Sequence, residues 1–295
     1  MDWKSKRATA ILELALIEDH ATADATTALA LEADLPASAT ILAKQECVLA
    51  GLGMVPRVLE VFAKLDTGKP ARRFEVVHHP EIFDGVHVRK GQAVAVIRHN
   101  ARTILACERV ILNLLQRMCG IATLTRQYVD AVAGTGAVIL DTRKTVPGLR
   151  MFDKYAVTCG GGTNHRMDLA DGVLIKNNHI SLGGGIPKVL ARAHSLRKPG
   201  QKIQIEVRTL EELALALDGG ADSLLLDNMT PADVQRAVKM ARQRDEHITL
   251  EASGGMTLEM VHKYAKTGVD FISVGALTHS VKAVDLSMRT TAEIY

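Results

Sequence analysis

The chain has 295 residues, 47% of them hydrophobic, enough for one large domain or two smaller ones with a sizeable core. Its 36 basic residues barely exceed its 33 acidic ones and aromatics make up 3%, which excludes a general nucleic-acid binder and a single-strand stacking platform. No run reaches the roughly 18 apolar residues of a membrane span, and the charged opening "MDWKSKRATAILELALIED" lacks a signal peptide's apolar core, so the expected location is the cytoplasm.

In chain order, the residues up to about 115 predict a first helix, then a mixed region of short strands and turns. In "RRFEVVHHPEIFDGVHVRKGQAVAVIRHN" the alternation of Val86 and Val88, then Val94 and Val96, around "RKGQ" predicts antiparallel hairpins with one wet face. His78 and His79 fall in this region and are expected as surface or packing residues, not as a metal cluster. "ARTILACERVILNLLQRMCGIATLTRQYVDAVAG" has helical spacing of its apolar positions. Cys47, Cys107, Cys119 and Cys159 stand far apart with no C-x-x-C pair, which predicts reduced, mostly buried thiols.

From residue 138 onward one unit repeats: a short apolar strand, a polar or glycine-rich turn, a helical stretch. The predicted strands are "AVILD" ending at Asp141, "GVLIK" at Lys176, "IQIEV" around Glu206, "SLLLD" at Asp227, "ITLEA" before Ser253 and "FISVG" at Gly275. Near-continuous apolar strands alternating with helices imply parallel strands buried on both faces. The fold class is therefore α/β, an N-terminal α/β domain over 1–115 and an incomplete, open α/β barrel over 116–279, with 280–295 packing back on the first domain. "LGGGI" at 182–186 is expected to be a loop.

In such barrels the active site lies at the carboxyl ends of the strands. That explains why "VILDTRKT" passes from a buried strand straight into Asp141, Thr142, Arg143, Lys144 and Thr145. Lys176, Glu206, Asp227, Ser253-Gly254-Gly255 and Gly275 occupy the other strand ends. Any one of these alone reads as a solvated edge or a helix cap; together they converge on one face. The glycine turns "SGG" and "VGA" resemble phosphate cradles made of backbone N–H groups. Glu206 and Asp227 suit a hard cation or sugar hydroxyls. His165, Arg166 and Lys176 join Arg143 and Lys144 in a dense cationic pocket, so the expected ligands carry more than one anionic group.

The residues "ERVILNLLQRMCGIATLT", "LDTRKTVPGLR", "KYAVTCGGGTNHRMDLADGVLIKNNHI", "LLLDNM", "EASGG" and "GVDFISVGALTHSVKAVDLSMR" together resemble the quinolinate phosphoribosyltransferase family, from about residue 12 to 290. The resemblance implies transfer of a phosphoribosyl group from phosphoribosyl pyrophosphate to quinolinate with decarboxylation, a step of NAD synthesis. It also implies a homodimer or larger assembly in which Arg109 of one subunit reaches the other's quinolinate. Arg143, Lys144, His165, Arg166 and Lys176 match the family's cations. Glu206 and Asp227 match two acids near the ribose and Mg²⁺, and Ser253, Gly254, Gly255 and Gly275 match phosphate-binding positions. Lys144, Lys176, Glu206 and Asp227 are the residues expected to carry catalysis, with Thr142 in the substrate site. Either lysine is placed to return a proton to the ring carbon. No organic cofactor is expected, because a quaternised pyridine ring is its own electron sink.

Three departures stand out. "IEDHATADATT" loses both glycines of the family's E-D-x-G-x-G-D-x-T-T segment, "CGIAT" replaces SGIAT, and Asn177 stands where Asp is frequent. Two other readings use the same residues: a molybdenum-transport-associated homologue whose substrate is not established, and a non-catalytic phosphosugar-binding barrel acting as a sensor or scaffold. Arg143 with Arg166 favours a dicarboxylate over the first, and Glu206 with Asp227 favours turnover over the second.

Overall fold

Helix α1 (Lys6–Glu18) begins where the Ser5 hydroxyl accepts the Ala8 N–H at 3.3 Å, and Ala8, Leu12 and Leu16, spaced by one turn, form its buried stripe. The structure, a computed structural model, describes residues 1–71 and 73–292. A 3-10 turn (Ala21–Ala23) leads into α2 (Ala25–Ala30), capped by the Asp24 carboxylate on the Thr27 N–H at 3.0 Å. Ala21 and Ala23 replace the family's glycines here without backbone strain, since in this segment His20 alone takes a left-handed conformation, with φ 47°.

Strand β1 (Pro36–Ala43) alternates strictly between partly exposed and buried residues, so one face covers core and the other meets solvent. After it come β2 (Cys47–Val48), α3 (Met54–Thr67), β3 (Glu75–Val77), β4 (His87–Val88), β5 (Ala93–Asn100) and the 31-residue helix α4 (Ala101–Ala131).

The expected hairpin around "RKGQ" is corrected here. The Gln92 N–H does close a turn onto the Arg89 carbonyl at 3.1 Å, but β4 pairs with β2, while β5 pairs with β1 and β3, all antiparallel. The arms part because Ala43 takes the backbone of the turn: the Gly91 N–H donates to the Ala43 carbonyl at 2.7 Å and the Ala43 N–H to the Gln92 carbonyl at 3.0 Å. Alternation sets which face of a strand is wet and leaves its partner open.

Strand β6 (Val138–Leu140) is followed by α5 (Arg150–Cys159), and then the strand–helix repeat runs without interruption. Its members are β7 (Val173–Ile175), α6 (Asn177–Leu182), α7 (Ile186–Leu196), β8 (Ile203–Val207), α8 (Leu210–Asp218), β9 (Ser223–Asp227), α9 (Pro231–Arg244), β10 (Thr249–Ser253), α10 (Leu258–Ala265), β11 (Phe271–Ser273) and α11 (Ala276–His279). Helix starts follow local chemistry: Thr209 and Thr230 hydroxyls accept the Glu212 and Asp233 N–H groups at 3.1 and 3.2 Å, and Pro231 opens α9 with its φ already set.

All six strands expected from the repeat are present. They form a parallel sheet in the order β6-β11-β10-β9-β8-β7. Chain neighbours pair from β7 to β11, and β11 then returns to the first strand, β6. The ladder absent from this ring among the described residues is the one between β6 and β7, which makes the barrel open. An isolated parallel bridge from Leu140 to Thr163 adds a fragment to the free edge of β6.

The chain divides into two compact units. One comprises Met1–Leu124, Val146–Gly161 and the described residues from Val281; the other comprises Thr125–Thr145 and Gly162–Ser280 and holds the barrel strands. The division falls inside α4, and α5 belongs with the first unit. Strand β12 (Leu286–Ala292) pairs antiparallel with β1, from Ala37 opposite Ala292 to Ala43 opposite Leu286, giving the first unit a sheet ordered β12-β1-β5-β3. Residues 293–295 of the expected return segment lie outside the described residues.

Candidate active site

The residue that follows β6 is Asp141, whose side chain is fully buried. Its carboxylate accepts the His165 N–H at 2.9 Å, and its own N–H donates to the Thr163 carbonyl at 3.2 Å. Asp141 thus ties the 163–166 segment to the strand end, and the next three residues turn away as a short, fixed loop. In that loop the Thr142 hydroxyl accepts the Lys144 N–H at 3.1 Å, the Arg143 carbonyl accepts the Thr145 N–H at 2.9 Å, and the Thr278 hydroxyl donates to the Lys144 carbonyl at 2.9 Å. Lys144 is exposed; Thr142 and Arg143 are half-buried.

Arg166 is half-buried and lies in the field of Arg143. Burial first, and then the like charge of Arg143, pull its guanidinium below the ordinary value, while Asp171 acts in the opposite sense. A cavity of about 270 Å³ opens here, lined by Asn164, His165, Arg166, Asp171, Leu174 and Gln204 among others, on the side where β6 and β7 do not pair. His165 is held through both of its ring nitrogens. Its Nδ1 accepts the Arg166 N–H at 2.8 Å, so the ring proton sits on Nε2, which lies 3.2 Å from the Glu251 carboxylate. Both ring nitrogens are engaged in this way, which orients the His165 ring.

The two acids stand at the ends of neighbouring strands. Glu206 is 8% exposed, and its carboxyl is raised above the ordinary value by burial and then by the charge of Asp227; Lys176, the Asn177 N–H and Arg208 oppose this. Asp227 is half-buried and accepts the Asn228 side-chain amide at 2.9 Å. Lys176 is exposed at the end of β7, its N–H donating to His179 Nδ1 at 2.8 Å.

Ser253 lies opposite Asp227 in the β9–β10 register. Gly254 then turns through φ +103°, and a Cβ there would sit 2.8 Å from the Asn228 backbone nitrogen, so both the conformation and the space demand glycine. Gly255 is open around its Cα. At Gly275 a Cβ would stand 3.1 Å from both Lys144 Cδ and the His279 ring, so the missing side chain leaves room for those two. The structure therefore gathers Thr142, Arg143, Lys144, His165, Arg166, Lys176, Glu206, Asp227, Ser253, Gly254, Gly255 and Gly275 onto one unit, at strand ends and the segments just after them. Arg109 lies exposed on α4 within the other unit.

A larger cavity, about 530 Å³, lies wholly in the first unit near Asp24, His99 and Arg102. The Arg102 guanidinium there donates to the Ala28 and Leu31 carbonyls, which closes the end of α2 and commits this cation to structure.

Sequence reasoning missed Asp141, Gln204 and Glu251 as parts of the site. The available signal was a carboxylate inside the apolar "ITLEA" run, on the same strand face as Ser253.

The model of the quinolinate phosphoribosyl transferase C-terminal domain matches residues 121–289, and that of the N-terminal domain matches 24–119. The chain belongs to the quinolinate phosphoribosyltransferase family. Among its relatives, a nicotinate-nucleotide pyrophosphorylase [carboxylating], chloroplastic, of Arabidopsis thaliana is 41% identical over 97% of this chain and 83% of its own. A probable nicotinate-nucleotide pyrophosphorylase [carboxylating] of Bacillus subtilis is 40% identical over 93% and 90%. The solved NadC structure from Streptococcus pyogenes superposes with a TM-score of 0.87 at 34% identity, covering 96% of both chains. The nicotinate-nucleotide pyrophosphorylase of Francisella tularensis gives 0.84 at 37% identity, over 96% and 95%. The family's DTRKT and NHR cations fall in the loop after β6 and just after Thr163, which bridges to the free edge of β6, and the family's two acids fall on β8 and β9.

Proposed function

We propose that this enzyme of the quinolinate phosphoribosyltransferase family binds both substrates at the strand ends of its open barrel. It transfers phosphoribosyl from phosphoribosyl pyrophosphate to quinolinate and releases carbon dioxide, giving nicotinate mononucleotide and pyrophosphate. The observation that carries this reading is the Arg143–Arg166 pair: two guanidiniums whose like charges act on each other, one of them lining a cavity, suit a ligand with two carboxylates.

Arg143 and Arg166 hold the ring carboxylates, with Thr142 and His165 shaping the pocket around them. Ser253, Gly254, Gly255 and Gly275 offer backbone N–H groups and open space for phosphate oxygens. Lys144 and Lys176 neutralise the remaining charge, and placing both polyanions in one cationic site lowers the entropic barrier to their meeting. The ribosyl carbon then loses its bond to pyrophosphate and gains one to the ring nitrogen. The quaternised ring takes up the electron pair left when the adjacent carboxylate departs as carbon dioxide, and Lys144 or Lys176 supplies the proton that replaces it.

Glu206 and Asp227 suit Mg²⁺, because the Asp227 charge disfavours ionisation of Glu206 and a bound cation would relieve that. Among the described residues no group of three or more His, Cys, Asp or Glu comes together, so these two acids would share the ion with water and substrate oxygens. Bound Mg²⁺ would offset the charge of the pyrophosphate. The proposal includes a homodimer in which Arg109 serves the partner's site, and a cytoplasmic setting in keeping with four unbridged cysteines. No helix among the described residues is long and apolar enough to cross a membrane.

Arg143→Ala tests the assignment. It is expected to keep the far-ultraviolet spectrum and melting behaviour of the wild type while kcat/KM for quinolinate falls by at least about a hundredfold. Unchanged turnover removes Arg143 from the site.

A further inference from the structure

Glu251 lies in the middle of β10, its side chain 3% exposed, in a position where an apolar residue of similar volume commonly serves stability as well or better. Its Oε2 accepts the Gln204 side-chain amide from β8 at 2.7 Å and the His165 ring at 3.2 Å. Burial pushes the Glu251 carboxyl up, but the hydrogen bonds from His165, Ser273 and Gln204 act against burial, and the carboxyl lies below the ordinary range. The group is therefore a buried carboxylate anion at neutral pH.

The His165 ring links this anion to the substrate pocket. Its Nδ1 receives the Arg166 N–H at 2.8 Å, and its backbone N–H is held by the fully buried Asp141 at 2.9 Å. Two buried carboxylates on different strands, Asp141 on the β6 side and Glu251 on β10, thus fix the peptide that carries the Arg166 guanidinium. Without an acceptor at 251 the Nε2 proton loses this bond, which favours the other tautomer, in which a proton on Nδ1 would face the Arg166 N–H.

We propose that Glu251 is a positioning residue for quinolinate recognition, holding the His165 ring with its proton on Nε2 and through it setting the backbone of Arg166. This rests on the assignment of Arg166 to a quinolinate carboxylate.

The test compares wild type, Glu251→Gln, which keeps an acceptor oxygen and the shape, and Glu251→Leu, which removes the acceptor. KM for quinolinate is expected to rise about tenfold in Glu251→Leu and only about two- to threefold in Glu251→Gln, with KM for phosphoribosyl pyrophosphate within about twofold throughout. In parallel, nitrogen-15 spectra of histidine-labelled wild type, with the signal assigned through His165→Gln, are expected to show the proton on Nε2 alone. Equal weakening toward both substrates, or a wild-type ring protonated on Nδ1 or on both nitrogens, overturns the proposal. Should Glu251→Leu fail to fold, Glu251→Gln and the wild-type spectrum still decide. Absence of quinolinate turnover in the wild type would instead remove the assignment of Arg166, while the spectrum would still report on the lock.

Discussion

At Glu206, burial and the neighbouring Asp227 carboxylate act in the same direction, both against the charged form. A carboxyl raised in the folded state favours folding below its unfolded value of about 4.5, and that contribution is lost as pH rises through the folded value. At neutral pH the metal-free protein therefore carries a destabilising pair at its site. Glu206→Gln is expected to raise the melting temperature of the metal-free enzyme on the order of a few degrees while lowering kcat at least about a hundredfold. Calorimetry with and without Mg²⁺ and pyrophosphate checks it: these ligands should raise the melting point of the wild type more than that of the variant. A less stable variant with equal ligand response contradicts the role. Glu206 and Asp227 were legible in the sequence because each stands at the end of an apolar run. Glu251 and Asp141 were not, since their meaning lies in bonds to His165 from other elements, which no local pattern records.

Among the elements, the β10–α10 turn is the most constrained part of the site. Gly254 combines a left-handed backbone with close approach to Asn228, itself left-handed at φ 55° and bonded through its N–H to the Ser253 carbonyl at 2.9 Å. Gly254→Ala is expected to cost about 1–3 kcal/mol in stability and to raise KM for phosphoribosyl pyrophosphate more than KM for quinolinate. Denaturant unfolding with steady-state kinetics measures both, and an equally stable variant with unchanged KM values contradicts a constrained phosphate turn. The strands of the barrel were readable because burial on both faces leaves uninterrupted apolar runs such as "SLLLD". The turn at "RKGQ" was readable and its pairing was not, because Ala43, far away in sequence, takes the hydrogen bonds a hairpin would have used.

At the scale of the whole molecule, the order β6-β11-β10-β9-β8-β7 leaves one gap among the described residues, and Thr163 to Arg166 run along its β6 side. The strand–helix repeat sets the number of strands, whereas the place of the gap depends on which two neighbours do not pair. Likewise, the pairing of β12 with β1 joins residues near opposite ends of the chain and has no local signature beyond the family resemblance. The proposed sharing of Arg109 between subunits is tested by complementation. Arg109→Ala and Arg143→Ala homodimers should each be nearly inactive, and mixed dimers should regain one intact site. Random reassortment of equal amounts then restores about a quarter of wild-type activity. No recovery after verified subunit exchange places Arg109 in its own subunit's site or outside catalysis.

The reaction itself is tested most directly by incubating the purified chain with phosphoribosyl pyrophosphate, Mg²⁺ and either quinolinate or nicotinate, while following pyrophosphate and carbon dioxide together. Equal release of both products with quinolinate, and neither with nicotinate, is the predicted result. Folded protein that binds quinolinate but releases no pyrophosphate, or that turns over nicotinate equally well, would contradict it.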